Sequence, residues 1–160
     1  MPSKESLKAV FNSSPLIILA KLGLLEMITH IFNKIEIPKT VLEEIKIKKD
    51  KVYNAVASLI ENKKLHVEDV EKQFSRLGIG ESSAIFLALI KEKIVVLDDK
   101  KARRLARELK LDVIGTLSVL KKLYEDGLLK IEPNSLYMRL VEMGFYVNKT
   151  LFDRIFKTKY

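Results

Sequence analysis

Side chains with oxygen atoms recur directly after short apolar runs that are typical of β-strands. They follow three such runs in turn, as Asn12-Ser13-Ser14, Asp98-Asp99 and Gly115-Thr116. Two glutamates, Glu44 and Glu81, lie on predicted helices that lead out of or into strands. Because the carboxyl ends of parallel strands share one edge of a sheet, these groups are expected to collect there. Hard divalent cations prefer such oxygen ligands, which makes this edge a candidate metal site.

The scarcity of cysteine and histidine limits which metal and catalytic sites the chain can form. It contains no cysteine and only two histidines, His30 and His66, which are isolated from each other. A thiolate site is therefore excluded, and a histidine-rich zinc site is not supported. Neither histidine lies in a recognisable catalytic triad. Any metal would need oxygen ligands, which favours magnesium, manganese or calcium.

Each acid also has a structural explanation, which the sequence leaves open. Glu81 falls in the first turn of its helix, where the helix dipole stabilises any carboxylate. Asp98 or Asp99 could simply cap the helix that follows. Taken singly, an acid in such a position is more often structural than functional. Glu36 and Glu43 are expected to face solvent.

The helix predicted after Asp99 has two contrasting faces. Apolar residues spaced to meet a core are Ala102, Leu105, Ala106 and Leu109. The opposite face carries a basic stripe of Lys100, Arg103, Arg104 and Arg107. A phosphate backbone approaching an acidic site needs such a counter-charge, and arginine matches phosphate geometry. The three arginines are thus candidate nucleic-acid-binding residues, while a solvated face suits Lys100 and Lys101 better. Without interleaved aromatic residues, a base-stacking platform for single strands is not supported.

The elements that must position these residues follow from periodicity. Strands are predicted at 8–11, 35–37, 65–67, 94–97 and 113–114. Helices are predicted at 16–21, 24–32, 38–45, 52–60, 82–90, 99–109, 116–124, 135–143 and 150–156, with a charged connection at 46–51. Strands that alternate with helices predict the α/β class, here a central, mostly parallel five-stranded sheet with helices on both faces.

Composition fits one soluble domain over residues 1–160. The hydrophobic fraction is 48%, and the apolar run 16–20 is far too short to span a bilayer. The first five residues carry no secretory signal, so a cytoplasmic protein is expected. A net charge of +8 suits a polyanionic partner, although lysine-rich surfaces also occur in proteins selected for solubility or heat. Aromatic residues near the C-terminus are expected in a core or an oligomer contact: Tyr137, Phe145, Tyr146, Phe152 and Phe156.

Four short motifs, in order from about residue 8 to 146, resemble those of PIN-domain nucleases. They are Val10-Phe11-Asn12-Ser13-Ser14-Pro15-Leu16-Ile17, Pro38-x-x-Val41-x-x-Glu44-Ile45, Gly80-Glu81-x-x-Ala84-Ile85, and Val95-Val96-Leu97-Asp98-Asp99-x-x-Ala102-Arg103 followed by Gly115-Thr116. Where that family has its first aspartate, this chain has Asn12. Asparagine can still ligate a cation through its amide oxygen, but it brings no negative charge.

The resemblance implies a three-layer α/β/α PIN-like fold and a metal-dependent ribonuclease, similar to VapC-type toxins of toxin–antitoxin pairs. It implies magnesium or manganese held by Asn12, Glu44, Glu81 and Asp99, with Asp98 as a further catalytic acid. Ser14 and Thr116 would orient water or phosphate. RNA would be the substrate, with an antitoxin protein and a second copy of the chain as further partners.

Other functions remain open at this point. The main alternative is a catalytically weak or inactive PIN-like module that binds RNA or a protein partner, which Asn12 favours. A phosphate-accepting signalling domain would need acids after its first and third strands and a lysine after its fifth. A dinucleotide-binding domain would need a glycine-rich loop after its first strand, and none is present.

Overall fold

The computed structural model describes residues 7–47 and 50–156. Its five strands are β1 (Lys8–Phe11), β2 (Lys34–Pro38), β3 (His66–Glu68), β4 (Ile94–Val96) and β5 (Val113–Ile114). Each coincides with a predicted strand to within about a residue at either end. The first five residues and part of the connection predicted at 46–51 lie outside the described residues.

The α-helices lie between and after the strands, as the periodicity predicts. They are α1 (Ser13–Lys21), α2 (Lys39–Lys46), α3 (Lys51–Glu61), α4 (Ile79–Lys91), α5 (Lys100–Glu108), α6 (Thr116–Glu125), α7 (Pro133–Glu142) and α8 (Lys149–Phe156). Local chemistry fixes several of their first residues. The Asp50 carboxylate, for example, accepts a hydrogen bond from the Val52 N–H at the start of α3, at 3.0 Å.

The strands form one parallel sheet in the order β3-β2-β1-β4-β5. From β1 the chain proceeds outward to β2 and β3, and then returns to add β4 and β5 on the other side. Strands β1 and β4 are therefore neighbours, with Val10 level with Val95. The carboxyl ends of these two strands flank the point where the strand order reverses, which is where open parallel sheets bind ligands.

Both faces of the sheet are covered, which confirms the predicted three-layer α/β/α class. On one face Val10 and Val95 pack with α4 and α5, through Ala84, Ala88 and Ala106. On the other face Phe11 meets Phe32 edge to face, with ring centroids 5.5 Å apart. Burial of apolar side chains on both sides of the sheet holds the strand ends in place.

The α-helix predicted at 24–32 is wrong in type, because residues Leu25–His30 form a 3-10 helix. Gly23 precedes it with a φ of 73°, and Ile28, Thr29 and Ile31 are β-branched. The Thr29 hydroxyl donates to the Glu26 carbonyl, at 2.8 Å. Such side-chain competition and restricted rotamers both disfavour regular α-helix.

Glu36, expected to face solvent, is instead fully buried in β2. Its Oε1 pairs with Lys93, which is also buried, and lies 3.6 Å from Lys34 Nζ. The prediction failed because helices cover both faces of the sheet, so a polar residue between Ile35 and Ile37 has no outward face to occupy. A buried carboxylate must then find a cation.

Backbone contacts divide the chain into two compact units, with the division between Thr116 and Leu117. The first contains the sheet. In the second, Phe152 and Phe156 are buried and their rings lie 4.5 Å apart, while Tyr146 is largely exposed. A single domain over the whole chain stays a prediction. Among the described residues, no helix is both long and apolar enough to cross a membrane.

Candidate active site

Asn12 directly follows β1 and occupies the cap position of α1. Its backbone N–H donates to the Val96 carbonyl, at 3.0 Å, and so extends the pairing of β1 with β4. Its side chain does not cap the helix. The Oδ1 atom is buried and accepts no hydrogen bond from any described residue. A buried oxygen without a partner is energetically costly, and a cation at this edge would satisfy it.

Glu44, on α2, is held against the start of α1 and the start of α4. The Ser13 hydroxyl donates to Glu44 Oε2, at 2.9 Å. Oε1 comes so close to Gly80 that any side chain at position 80 would collide with it. Gly80 therefore permits the carboxylate to approach the first turn of α4, where the helix dipole favours negative charge.

Glu81 lies in that first turn, three residues after the capping residue Gly78. The Gly78 backbone N–H stabilises its carboxylate, an arrangement typical of a capping box. Even so, the pKa of Glu81 is raised above its usual value. Burial is the largest cause, followed by the negative charge of Asp99, and Glu44 adds to the effect. The carboxylates of Glu44 on α2 and of Asp99 at the start of α5 thus both act on Glu81.

The two adjacent aspartates after β4 have different roles. Asp99 caps α5, since its Oδ2 accepts a hydrogen bond from the Ala102 N–H at 3.0 Å. Asp99 is exposed. Asp98 instead binds Thr116 with both oxygens. Its Oδ1 accepts from the Thr116 N–H at 2.8 Å, and its Oδ2 from the Thr116 hydroxyl at 2.6 Å. These two hydrogen bonds tie the turn after β4 to the start of α6, just after β5.

The four predicted ligands thus lie at the carboxyl edge of the sheet or on the helices that flank it. Within residues 7–47 and 50–156, no three acidic, histidine or cysteine side chains stand close enough to hold a metal on their own. Carboxylates repel each other at distances longer than a metal–ligand bond allows. The raised pKa of Glu81 therefore does not require that three such groups be close enough to share a metal. The oxygen donors present, among them Asn12 Oδ1, which has no partner among the described residues, are of the type that a hard divalent cation prefers.

Two contacts at this edge escape sequence reasoning. Ser13, rather than Ser14, hydrogen-bonds Glu44. A run of two serines before Pro15 does not say which of them faces the site, because that depends on where the helix begins. Gly80 gave a faint signal, since glycine is unusual inside the first turn of a helix and can mark a close approach.

The basic stripe of α5 lines an open groove of about 500 Å³, formed by Lys100, Arg103, Arg104, Arg107 and Glu108. Arg104 and Arg107 are exposed, whereas Arg103 is half-buried. None of the described residues that line the groove is aromatic, so they offer charge without a stacking surface.

Comparisons with known proteins bear on the family and the fold of this chain. A family model described as a PIN domain (DUF3368) matches residues 8–159. Among solved structures, the chain is similar to a PilT N-terminus domain protein from the hyperthermophilic archaeon Sulfolobus solfataricus, with a TM-score of 0.53 and 17% identity. That match covers 79% of this chain and 97% of the other, and at this identity it bears on the fold alone. A search of curated proteins gave no match.

Proposed function

Because this chain belongs to the PIN-domain family, a nuclease-type family, we propose that it is a metal-dependent ribonuclease that hydrolyses phosphodiester bonds of RNA. The observation that carries the proposal is that Glu44 and Asp99 both raise the pKa of Glu81 at the sheet edge where Asn12 presents a buried oxygen without a partner among the described residues. Magnesium or manganese held by these four residues would lower the pKa of a bound water and stabilise charge on the phosphate.

The side chains divide the remaining work. The Ser13 hydroxyl holds one carboxylate oxygen of Glu44 in place. Asp99 caps α5 through Oδ2, and its other oxygen, Oδ1, takes no part in this cap. Burial and the charges of Asp99 and Glu44 raise the pKa of Glu81, so a cation that offsets these charges would favour its ionised form. Asp98 and Thr116 bind each other, which supports a role in holding the edge rather than in contacting phosphate.

Metal binding is the first test. If the four residues bind Mg²⁺ or Mn²⁺, the metal stabilises the folded chain by mass action. At a concentration one hundred times its Kd, the gain is about 2.7 kcal/mol. For a chain of this size that corresponds to a rise in the melting temperature of roughly 5–10 °C. Thermal scans in chelator and in millimolar metal measure it, and RNA cleavage should appear under the same conditions.

The substitution Glu43→Gln is the matched control, because Glu43 is an exposed neighbour of Glu44 on the same helix. It should leave the metal-dependent rise unchanged. The absence of any shift with Mg²⁺, Mn²⁺, Ca²⁺ and Zn²⁺ alike would contradict the nuclease proposal.

The groove along α5 supports an RNA substrate that is bound by its backbone. Arg104→Ala and Arg107→Ala should each weaken RNA binding across sequences and reduce the slope of log K against log salt by about one. Fluorescence anisotropy in chelator, at several salt concentrations, measures both quantities without cleavage. Lys51→Ala is the control, because Lys51 is exposed but does not line the groove. An unchanged slope in both arginine variants would place RNA elsewhere.

The motif resemblance extends the proposal to a cytoplasmic toxin whose partner is an antitoxin protein. A second candidate function is a catalytically weak PIN-like module that binds RNA or a protein. Two observations favour it: Asn12 replaces an aspartate, and no three-acid metal group is formed by the described residues. Metal-dependent stabilisation together with RNA cleavage would exclude this second candidate.

A further inference from the structure

Arg103 differs from the other arginines of α5 in what it contacts. Its Nη1 donates to the backbone carbonyl of Leu97, at 3.0 Å, at the end of β4. Burial lowers its pKa from the usual value, and Arg107 contributes to the same shift, whereas the charge of Asp98 opposes it. Arg103, although it lines the groove, therefore directs at least one of its donors to the sheet edge.

Gly115 explains how the guanidinium reaches this position. A Cβ atom at residue 115 would lie 2.6 Å from Arg103 Nη1 and 2.9 Å from Asp98 Oδ1. Both distances are shorter than a carbon atom tolerates, so the two charged groups pass over the backbone at a point where only glycine leaves room. The same Asp98 oxygen accepts the Thr116 N–H.

Together these contacts join two strand ends. Arg103 reaches from α5 to Leu97, and Asp98 reaches from the same turn to Thr116. Between Leu97 and Arg103 lies Asp99, whose carboxylate caps the first turn of α5. Fixing both sides of a short turn restricts the backbone of the residue inside it.

We propose that Arg103 is a positioning residue, which together with Asp98 locks the turn after β4 and so holds the Asp99 carboxylate at the sheet edge. The inference deepens the proposed function, on which its metal-binding arm rests. It assigns the groove's phosphate contacts to Arg104 and Arg107. Lysine is a poor replacement for Arg103 here, because an ammonium lacks the planar guanidinium that reaches the Leu97 carbonyl.

Amide hydrogen exchange followed by NMR in chelator tests whether Arg103 and Asp98 hold the turn after β4 in place, without metal or RNA. The Ala102 and Thr116 amides donate to Asp99 and Asp98, so their protection reports both halves of the turn. Arg103→Lys should accelerate exchange at these two amides by about tenfold or more, while amides of α1 and α4 keep their rates. Gly115→Ala, which displaces the guanidinium without removing its charge, should do the same. Arg104→Lys is the matched control and should change neither amide.

Unchanged exchange at Ala102 and Thr116 in both variants would overturn the proposal, as would a uniform acceleration across the whole sheet. A second readout is Mn²⁺ affinity. It should fall about tenfold in Arg103→Lys with little change in melting temperature, as for other residues that orient metal ligands. If the unmodified chain binds no Mn²⁺, the proposed function fails. The exchange experiment still shows whether Arg103 holds the turn after β4 in place.

Discussion

Glu81→Gln is expected to abolish metal-dependent RNA cleavage, with a loss of roughly a hundredfold or more. Mutation of a residue that only orients a metal ligand lowers metal affinity or activity about 10–100-fold. Loss of a ligand itself should lower them by at least the upper end of that range. The metal-dependent rise in melting temperature should disappear with it. Glutamine preserves the size of the side chain, so the change removes charge and leaves packing intact.

In the absence of metal the same substitution should stabilise the fold. The pKa of Glu81 is raised by burial and by the charges of Asp99 and Glu44, so its ionised form is disfavoured in the folded state. In the native chain this group's stabilising effect is present at pH values below its unfolded pKa and is lost as pH rises through its folded pKa. The stability advantage of Glu81→Gln should therefore be absent in acid, grow as pH rises through that interval and reach its full size above the folded pKa.

Denaturant unfolding in chelator, as a function of pH, measures this difference in free energy. Glu43→Gln should show no comparable gain, because Glu43 is exposed on the adjacent helix. Should Glu81→Gln leave both the cleavage rate and the neutral-pH stability at the native level, Glu81 would be a helix-capping residue and nothing more.

Asn12→Asp is expected to strengthen Mn²⁺ or Mg²⁺ binding and to raise ribonuclease activity above that of the native chain. Asn12 is only 5% exposed and its Oδ1 has no partner among the described residues. An aspartate there would place a full charge beside the cation. Partly desolvated, that attraction should exceed the ~1 kcal/mol of an exposed ion pair, or about a fivefold gain in affinity.

The same change should lower stability in chelator, because a buried carboxylate would add to the repulsion around Glu44 and Glu81. These two effects have opposite signs, which distinguishes a ligand position from a generic surface charge. Asn33→Asp makes the identical substitution at an exposed position and should produce neither effect. Isothermal titration and thermal scans with and without chelator give both quantities. No change in either would place Asn12 outside any cation site.

The spacing of apolar residues was sufficient to predict the strands and most of the helices of this chain. Lys8–Phe11 and Val113–Ile114 have the predicted bounds, because short apolar runs bounded by polar residues can satisfy their backbone only within a covered sheet. The segment Leu25–His30 departs from its prediction because its apolar spacing was helical while its β-branched residues and the Thr29 hydroxyl favour a tighter turn.

By itself, then, the sequence determined the α/β class, the family motifs and the edge at which the polar residues lie, since these follow from local pattern and chain order. It could not say that Asp98 binds Thr116 while Asp99 caps a helix, or that Ser13 rather than Ser14 contacts Glu44. Nor could it place Glu36 in the interior beside Lys93, 57 residues away. Only the tertiary structure decided these matters, because the partner of a polar side chain depends on which distant segments pack beside it, and that is set by the covering of both faces of the sheet.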